Sequence, residues 1–125
     1  MRDYMKFYID GKWVDPVAPK SLDVINPANE EVCGHISIGA GADVDLAVAA
    51  AKKAFETWSQ TTREQRIEVL ERIIVEYQKR YEDMAKAITE EMGAPSWLAQ
   101  RAQAAMGIGH VQTCLLYTSP SPRDS

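Results

Sequence analysis

The chain has 125 residues, of which 46% are hydrophobic and 26% are charged, and its formal net charge is -4 at pH 7. This length suffices for one small domain with a modest core and is short for a two-domain enzyme. The acidic balance, with no cluster of Lys and Arg, argues against a nucleic-acid or anionic-membrane surface, since such surfaces need grouped cations to displace counterions.

Two β-hairpins are predicted at the start of the chain. Lys6 to Val14 contains two short β-prone runs around Asp10-Gly11, a dipeptide that supplies the positive φ angles of a type I′ turn. A second pair of strands, Leu22 to Ile25 and Val32 to Ile38, is joined by a turn in which Asn29 tolerates a left-handed conformation. Two hairpins on one small apolar face cannot stand alone in water, so we expect them to pack on helices or on another chain.

The first helix is predicted to end at Trp58, because apolar residues recur from Val44 onward at three- and four-residue intervals. Its opening, Gly39-Ala40-Gly41, follows a strand-like run, as the glycine loop of a dinucleotide-binding fold would. The fuller motif is not met, since Val44 occupies its third glycine position and a second helix follows where a βαβ unit needs a strand. Ala40 also stands where a capping Ser or Thr would stabilise the helix. We interpret the apolar residues that recur from Val44 to Trp58 as a helix face buried in the core.

Further helices follow. The second begins at Thr62, which forms a capping box with Gln65, and its apolar stripe extends to Tyr81. A third helical stretch ends at Gly93, the residue type that most often stops a helix. A fourth, from Trp97 to Thr113, is rich in Ala and Gln and reaches no capped end.

The pattern changes after the fourth helix. Residues 115–125 show neither helical nor strand periodicity, and their Ser-Pro repeat cannot continue a helix. We therefore divide the chain into residues 1–113 and an unstructured tail, residues 114–125. One interpretation is a disordered tail with Ser-Pro phosphorylation sites. The interpretation that we favour is that the gene does not encode this tail, because it interrupts an unfinished helix.

The sequence shows no pattern typical of a signal peptide, a membrane span, a disulfide framework or a metal site. The N-terminus has no apolar signal-peptide region, and the longest apolar run, Leu46 to Ala51, is far too short to span a bilayer. The two cysteines, Cys33 and Cys114, form neither a disulfide framework nor a metal-binding spacing, which fits a reducing cytoplasm. We predict a cytoplasmic protein with no membrane or nucleic-acid partner.

In order and spacing, these residues resemble the N-terminal region of the aldehyde dehydrogenase superfamily, over about Phe7 to Thr113. The resemblance rests on five segments, none of them specific alone: Phe7 to Val14, Val24 to Val32, Ala42 to Ala51, Ala54 to Trp58 and Arg63 to Arg80. It implies an α/β parent fold. This chain would be two N-terminal β-hairpins followed by three to four α-helices, an incomplete piece of the nucleotide-binding and oligomerisation regions.

The resemblance implies that the complete parent oxidises an aldehyde to a carboxylic acid with NAD or NADP. In that family a cysteine thiolate attacks the carbonyl, amide donors stabilise the oxyanion and a glutamate activates water. Those groups and the nucleotide-phosphate loop lie in later segments, so neither Cys33 nor Cys114 inherits the nucleophile's role. We expect this chain to contain no catalytic and no cofactor-binding residue, to bind no NAD or NADP alone and to be inactive. The implied partners are the remainder of its own chain, other copies in a homo-oligomer, and an aldehyde.

A few roles carry over by position. Some family members hold a structural monovalent cation through backbone carbonyls before the Asn-Pro turn and a carboxylate on the third helix, and these positions match Val24, Ile25 and Glu91. Backbone oxygens suit a hard alkali cation; since carbonyls in turns are common, a turn without an ion is the alternative. By the same resemblance, the last helix, around Gly107 and Val111, corresponds to a region that borders the family's aldehyde tunnel. His110 is interpreted as a partly exposed helix residue.

A different class of protein is the competing hypothesis, namely a small non-enzymatic helical interaction protein with a Ser-Pro-rich regulatory tail. A true small protein should cap its last helix and close its core, whereas residues 106–111 stop in mid-pattern. With apolar stripes on hairpins and helices but no central sheet to bury them, the isolated chain is expected to be marginally stable and to expose apolar patches.

Overall fold

The structure is a computed structural model and describes residues 2–118. Over that range the chain forms two compact units, one ending at Gln60 and the other beginning at Thr61. Every helix within residues 2–118 is too short or too polar to cross a membrane.

The N-terminal unit contains five strands and one helix, in the order β1 (Arg2–Tyr4), β2 (Phe7–Ile9), β3 (Lys12–Val14), β4 (Ser21–Asn26), β5 (Glu31–Ser37) and α1 (Gly41–Trp58). Both predicted hairpins form, as the antiparallel pairs β2 with β3 and β4 with β5. They do not share one face, because they belong to two different sheets. β1 pairs in parallel with β5 and completes a three-stranded sheet in the order β1-β5-β4. Local periodicity does not indicate such a long-range partner.

The two hairpin turns differ in how well they were predicted. Asp10 and Gly11 have φ angles of 53° and 73°, which confirms the type I′ turn. In the second turn the positive φ angle, 59°, belongs to Glu30 and not to Asn29. The Asn29 side chain instead accepts a hydrogen bond of 3.1 Å from the Glu31 backbone N–H. This local bond holds Asn29 in another conformation and moves the left-handed residue one position along the chain.

The β1-β5-β4 sheet depends on a close backbone approach. A Cβ atom placed on Gly34 in β5 would lie 2.2 Å from the carbonyl oxygen of Arg2 in β1, a distance that no side chain can accommodate. One cross-strand row of this sheet is apolar and exposed, and consists of Tyr4, Ile36 and Leu22. The other sheet packs differently, since β2 lies against α1.

The alanine-rich face of α1 lies beneath the first hairpin. An open cleft of about 330 Å³ runs between the hairpin turn and α1, and its helical wall consists of Ala47, Ala50, Ala51 and Ala54. The larger apolar residues that were predicted to form a core face are exposed instead. Their exposed fractions are 58% for Val44, 46% for Val48, 65% for Phe55 and 45% for Trp58. The prediction of burial is therefore wrong within the described residues.

The C-terminal unit is helical and consists of α2 (Arg63–Lys79), α3 (Tyr81–Met92), α4 (Ser96–Leu98), a π-helical segment (Ala99–Gln103) and α5 (Ala104–Thr118). The capping box is confirmed, since the Gln65 N–H donates to Thr62 Oγ1 at 3.2 Å and the Thr62 N–H donates to Gln65 Oε1 at 2.9 Å. Gly93 ends α3 in the left-handed conformation, with φ 67°. Tyr81 begins α3 instead of extending α2.

The core of this unit is built from small side chains. Ala99 and Ala104 are fully buried and Ala85 is 2% exposed, with Tyr81 and Ile88 packed against them. Alanine at such positions lets helices approach closely, so the backbone itself contributes to the packing.

The predicted fourth helix and tail need correction. The helix is interrupted by the π-helical segment, and α5 continues to Thr118, past the predicted boundary at Cys114. The tail is therefore helical over residues 114–118, because this stretch contains good helix formers such as Leu115 and the helix-breaking Ser-Pro repeat begins only at Ser119. Residues 119–125 lie outside the described residues. The source of residues 114–125 stays a prediction.

Candidate functional site

A carboxylate of the chain itself caps the N-terminus of α1. Asp43 is only 5% exposed. One of its oxygens accepts the Ala40 N–H at 2.8 Å, and the other accepts the Val17 N–H at 2.9 Å. The negative charge lies at the positive end of the helix dipole, where it opposes an anionic ligand. This geometry supports the interpretation of Gly39-Ala40-Gly41 as a structural turn.

The cap replaces the one that Ala40 cannot supply. Ala40 is not a capping residue type, but Asp43 in the first turn is an acidic residue of the kind that stabilises a helix start, and the sequence shows this signal. Its bond to Val17 joins residues 26 positions apart and could not be inferred from local pattern.

The residues matched to a monovalent-cation site occur in both units. The strand register slips between Val24 and Ile25, because Cys33 of β5 is an extra residue with no register partner in β4. The Val24 carbonyl accepts a hydrogen bond from the half-buried Cys33 thiol at 3.3 Å. Glu91 is exposed and lies next to the end of α3. Within residues 2–118 no group of three His, Cys, Asp or Glu side chains could hold a metal ion.

Two tyrosines organise the irregular part of the last helix. Tyr77 Oη donates to the Ala104 carbonyl at 2.8 Å, and Tyr81 Oη donates to the Gln100 carbonyl. The rings make an edge contact with centroids 6.3 Å apart. A π-helical turn shifts the backbone hydrogen bonds along the chain. Here the hydroxyls bond carbonyls within and next to that turn, so both tyrosines have a polar role beyond the predicted apolar stripe.

Gly107 is where α5 meets Tyr77. A Cβ atom on Gly107 would lie 2.7 Å from Tyr77 Oη. Burial raises the pKa of Tyr77, and the neighbouring Tyr81 raises it further. His110 is exposed, beyond the partial exposure predicted for it, and Cys114 is exposed on the same helix. The glycine thus serves a close approach within the unit.

A second polar cluster escaped the sequence reasoning. His35 in β5 lies between two carboxylates, with Nδ1 2.7 Å from Asp3 Oδ1 and Nε2 3.4 Å from Asp23 Oδ1. The three residues are directly opposed in the registers of β1, β5 and β4. No local pattern signals this cluster, because its members are 12 to 32 positions apart along the chain.

The family assignment follows from comparison with known proteins. The model of the aldehyde dehydrogenase family matches residues 13–119. The chain belongs to the aldehyde dehydrogenase family. Its resemblance to that family, and the α/β parent fold with N-terminal hairpins and helices, are confirmed.

Individual relatives agree with this assignment. The chain is 51% identical over 114 residues to a 3-succinoylsemialdehyde-pyridine dehydrogenase from a Pseudomonas species, covering 90% of this chain and 24% of that protein. It superposes on an aldehyde dehydrogenase from Bartonella henselae with a TM-score of 0.92 and 46% identity, covering 94% of this chain and 25% of the other. A Pseudomonas syringae aldehyde dehydrogenase C mutant in complex with NAD+ and octanal gives a TM-score of 0.90 and 44% identity, with coverages of 94% and 24%. The chain thus spans about a quarter of the length of these relatives.

Proposed function

We propose that this chain is the N-terminal part of an NAD(P)-dependent aldehyde dehydrogenase, an oxidoreductase that converts an aldehyde to a carboxylic acid. The observation that carries the proposal is the superposition on the Bartonella henselae enzyme, which extends over 94% of this chain but only 25% of that one. The complex of the Pseudomonas syringae relative with NAD+ and octanal supports the cofactor and the aldehyde class. When bound to the complete enzyme, NAD(P) accepts the hydride that leaves the aldehyde carbon.

The contribution of this chain is structural. The exposed apolar residues of α1 offer a surface for the remainder of the chain, since exposed apolar area of this kind marks an interaction surface. The large side chains concerned are Val44, Val48, Phe55 and Trp58. We propose that the chain binds neither NAD nor NADP by itself and has no activity alone.

Three further assignments belong to this proposal. By their resemblance to the family's positions, the carbonyls of Val24 and Ile25 and the carboxylate of Glu91 would hold a monovalent cation. The complete enzyme would act as a homo-oligomer in the cytoplasm. Residues 114–125 would not be encoded by the gene. The family match covers most of the chain. No observation favours the alternative, a small helical interaction protein.

The first test is to recover the DNA that follows the codon for Thr113 and to express the complete reading frame. The complete protein is expected to form NADH or NADPH with at least one member of a panel of aldehydes. The 125-residue chain is the matched control and is expected to form none. Turnover by the 125-residue chain, or a reading frame that ends after Ser125, would overturn the proposal.

A second test addresses the cofactor and the cation. Isothermal titration calorimetry of the 125-residue chain with NAD and with NADP is expected to show no binding. The complete protein should lose thermal stability when potassium is replaced by a bulky organic cation, and Glu91→Gln should reduce that dependence. Glu90→Gln, at the neighbouring position, is the control. An unchanged potassium dependence in Glu91→Gln would remove this carboxylate from the cation assignment.

A further inference from the structure

The cluster around His35 joins all three strands of the β1-β5-β4 sheet. Directly opposed residues of neighbouring strands project from the same face, so the registers bring one side chain of each strand into a single row. The central ring has a carboxylate oxygen at each of its two nitrogens, at 2.7 Å on the β1 side and 3.4 Å on the β4 side. This arrangement is independent of the proposed enzymatic function.

The chemistry of the ring decides which protonation state fits this geometry. A neutral imidazole has one N–H and one lone pair, so it can donate to only one of two carboxylates, and its lone pair then faces the other. An imidazolium donates from both nitrogens. Two acceptor oxygens, from Asp3 and Asp23, therefore match the protonated form of His35.

The titratable groups that face the His35 ring come from the neighbouring strands. β5 packs against β1 and β4, whose titratable groups facing the ring are Asp3 and Asp23. On β5 itself, Cys33 lies two residues before His35, and its thiol is bonded to the Val24 carbonyl. The side chain of His35 is 33% exposed, so protons reach it from solvent.

β1 is the element that depends on this cluster. It has only three residues and lies at the edge of the sheet. Beyond the strand pairing, the Ser37 hydroxyl donates to the Met5 carbonyl at 2.6 Å, and His35 bonds to Asp3. A short edge strand has few backbone hydrogen bonds, so the loss of one charged contact changes its docking measurably.

We propose that protonation of His35 fastens β1 to the sheet, so that the N-terminal strand is a proton-dependent latch. With a charged ring, Asp3 and Asp23 are both bonded and β1 is docked. With a neutral ring neither carboxylate faces a positive charge, so the contact to Asp3 weakens even where its hydrogen bond is kept, and β1 opens more often. The change in protection of β1 should be about two- to fivefold, as expected for a partly exposed ion pair.

The test is hydrogen–deuterium exchange of the 125-residue chain, read by mass spectrometry at about pH 5.5 and about pH 8, either side of the usual range for histidine. After correction for intrinsic exchange rates, a peptide covering residues 2–5 should be more protected at the lower pH. The β2–β3 hairpin serves as internal reference. Equal protection of β1 at both pH values, including none at either, would overturn the proposal.

Variants separate the latch from general effects of pH. His35→Gln keeps a donor but cannot be charged, and is expected to abolish the pH dependence. His110→Gln changes the other histidine of the chain, exposed on α5, and should leave it intact. If His35→Gln disturbs the sheet, Asp3→Asn removes the charge from the β1 side without altering β5 and should also abolish the effect. A pH dependence that survives in a folded His35→Gln or in Asp3→Asn contradicts the latch.

Discussion

The N-terminal unit is fixed mainly by backbone and polar contacts, whereas the C-terminal unit is fixed by buried alanines. In the first, Asp43 closes the start of α1 and Gly34 admits the backbone of Arg2. In the second, Ala99 and Ala104 are fully buried. Among the described residues, no large side chain in either unit is fully buried. Each unit therefore depends on a few close contacts, and single substitutions at those contacts should have clear effects.

The largest effect is expected in the alanine core. Ala104→Leu adds three carbons at a fully buried position, and overpacking of this kind should lower the free energy of unfolding by about 3 kcal/mol. Ala105→Leu is the matched control, because Ala105 lies next to Ala104 on the same helix and is exposed. Urea denaturation followed by circular dichroism measures the difference. Equal effects of the two variants would mean that the alanines do not form a tight core.

The next effect concerns the sheet of the N-terminal unit. Gly34→Ala would place a Cβ atom 2.2 Å from the Arg2 carbonyl oxygen, and β1 must move away. The expected cost is about 2 kcal/mol, limited to the docking of β1 because an edge strand can detach alone. Hydrogen exchange should show β1 losing protection while β4 keeps its own. Gly41→Ala, where a Cβ atom meets open space, should leave β1 unchanged.

A smaller effect is expected at the start of α1. Asp43→Ala removes the acceptor of the Ala40 and Val17 N–H groups and should cost about 1 to 2 kcal/mol. Asp45→Ala, an exposed carboxylate two residues further on, controls for the loss of negative charge near the helix start. Thermal unfolding of both variants should separate them. If Asp45→Ala costs as much, the effect comes from charge near the helix start and not from the two hydrogen bonds.

The smallest effect concerns the hydroxyl of Tyr77. Tyr77→Phe removes its bond to the Ala104 carbonyl and should cost about 1 kcal/mol near neutral pH. The control is Tyr117→Phe, since Tyr117 is 87% exposed. If the two variants lower the free energy of unfolding equally, the Tyr77 hydroxyl does not stabilise the fold through this bond.

The same tyrosine predicts a dependence on alkaline pH. Burial raises the pKa of Tyr77 above its usual value of 10.0, so the folded chain holds this proton more tightly than the unfolded chain. Above that value the unfolded chain binds fewer protons, and the free energy of unfolding falls as the pH rises toward the folded pKa. Denaturation on both sides of this window should show a smaller loss in Tyr77→Phe than in Tyr117→Phe.

Local chemistry made most elements of the fold predictable. The type I′ turn at Asp10-Gly11, the capping box at Thr62 and the stop at Gly93 each depend on residues within one turn of each other. The failures had other causes. Glu30, and not Asn29, has the left-handed conformation, because the Asn29 side chain accepts a hydrogen bond from the Glu31 N–H. Residues 114–118 are helical because no helix-breaking residue occurs before Ser119.

The sequence by itself determined the family, the two hairpins, the helices that follow them, and the signals at Asp10-Gly11, Thr62 and Gly93, because these follow from local conformational preferences and from segment order. Only the tertiary structure decided which residues meet over long separations. The parallel pairing of β1 with β5, the bond of Asp43 to Val17 and the placement of His35 between two carboxylates depend on strand register and chain path. Those contacts join positions too far apart for periodicity or turn chemistry to relate them.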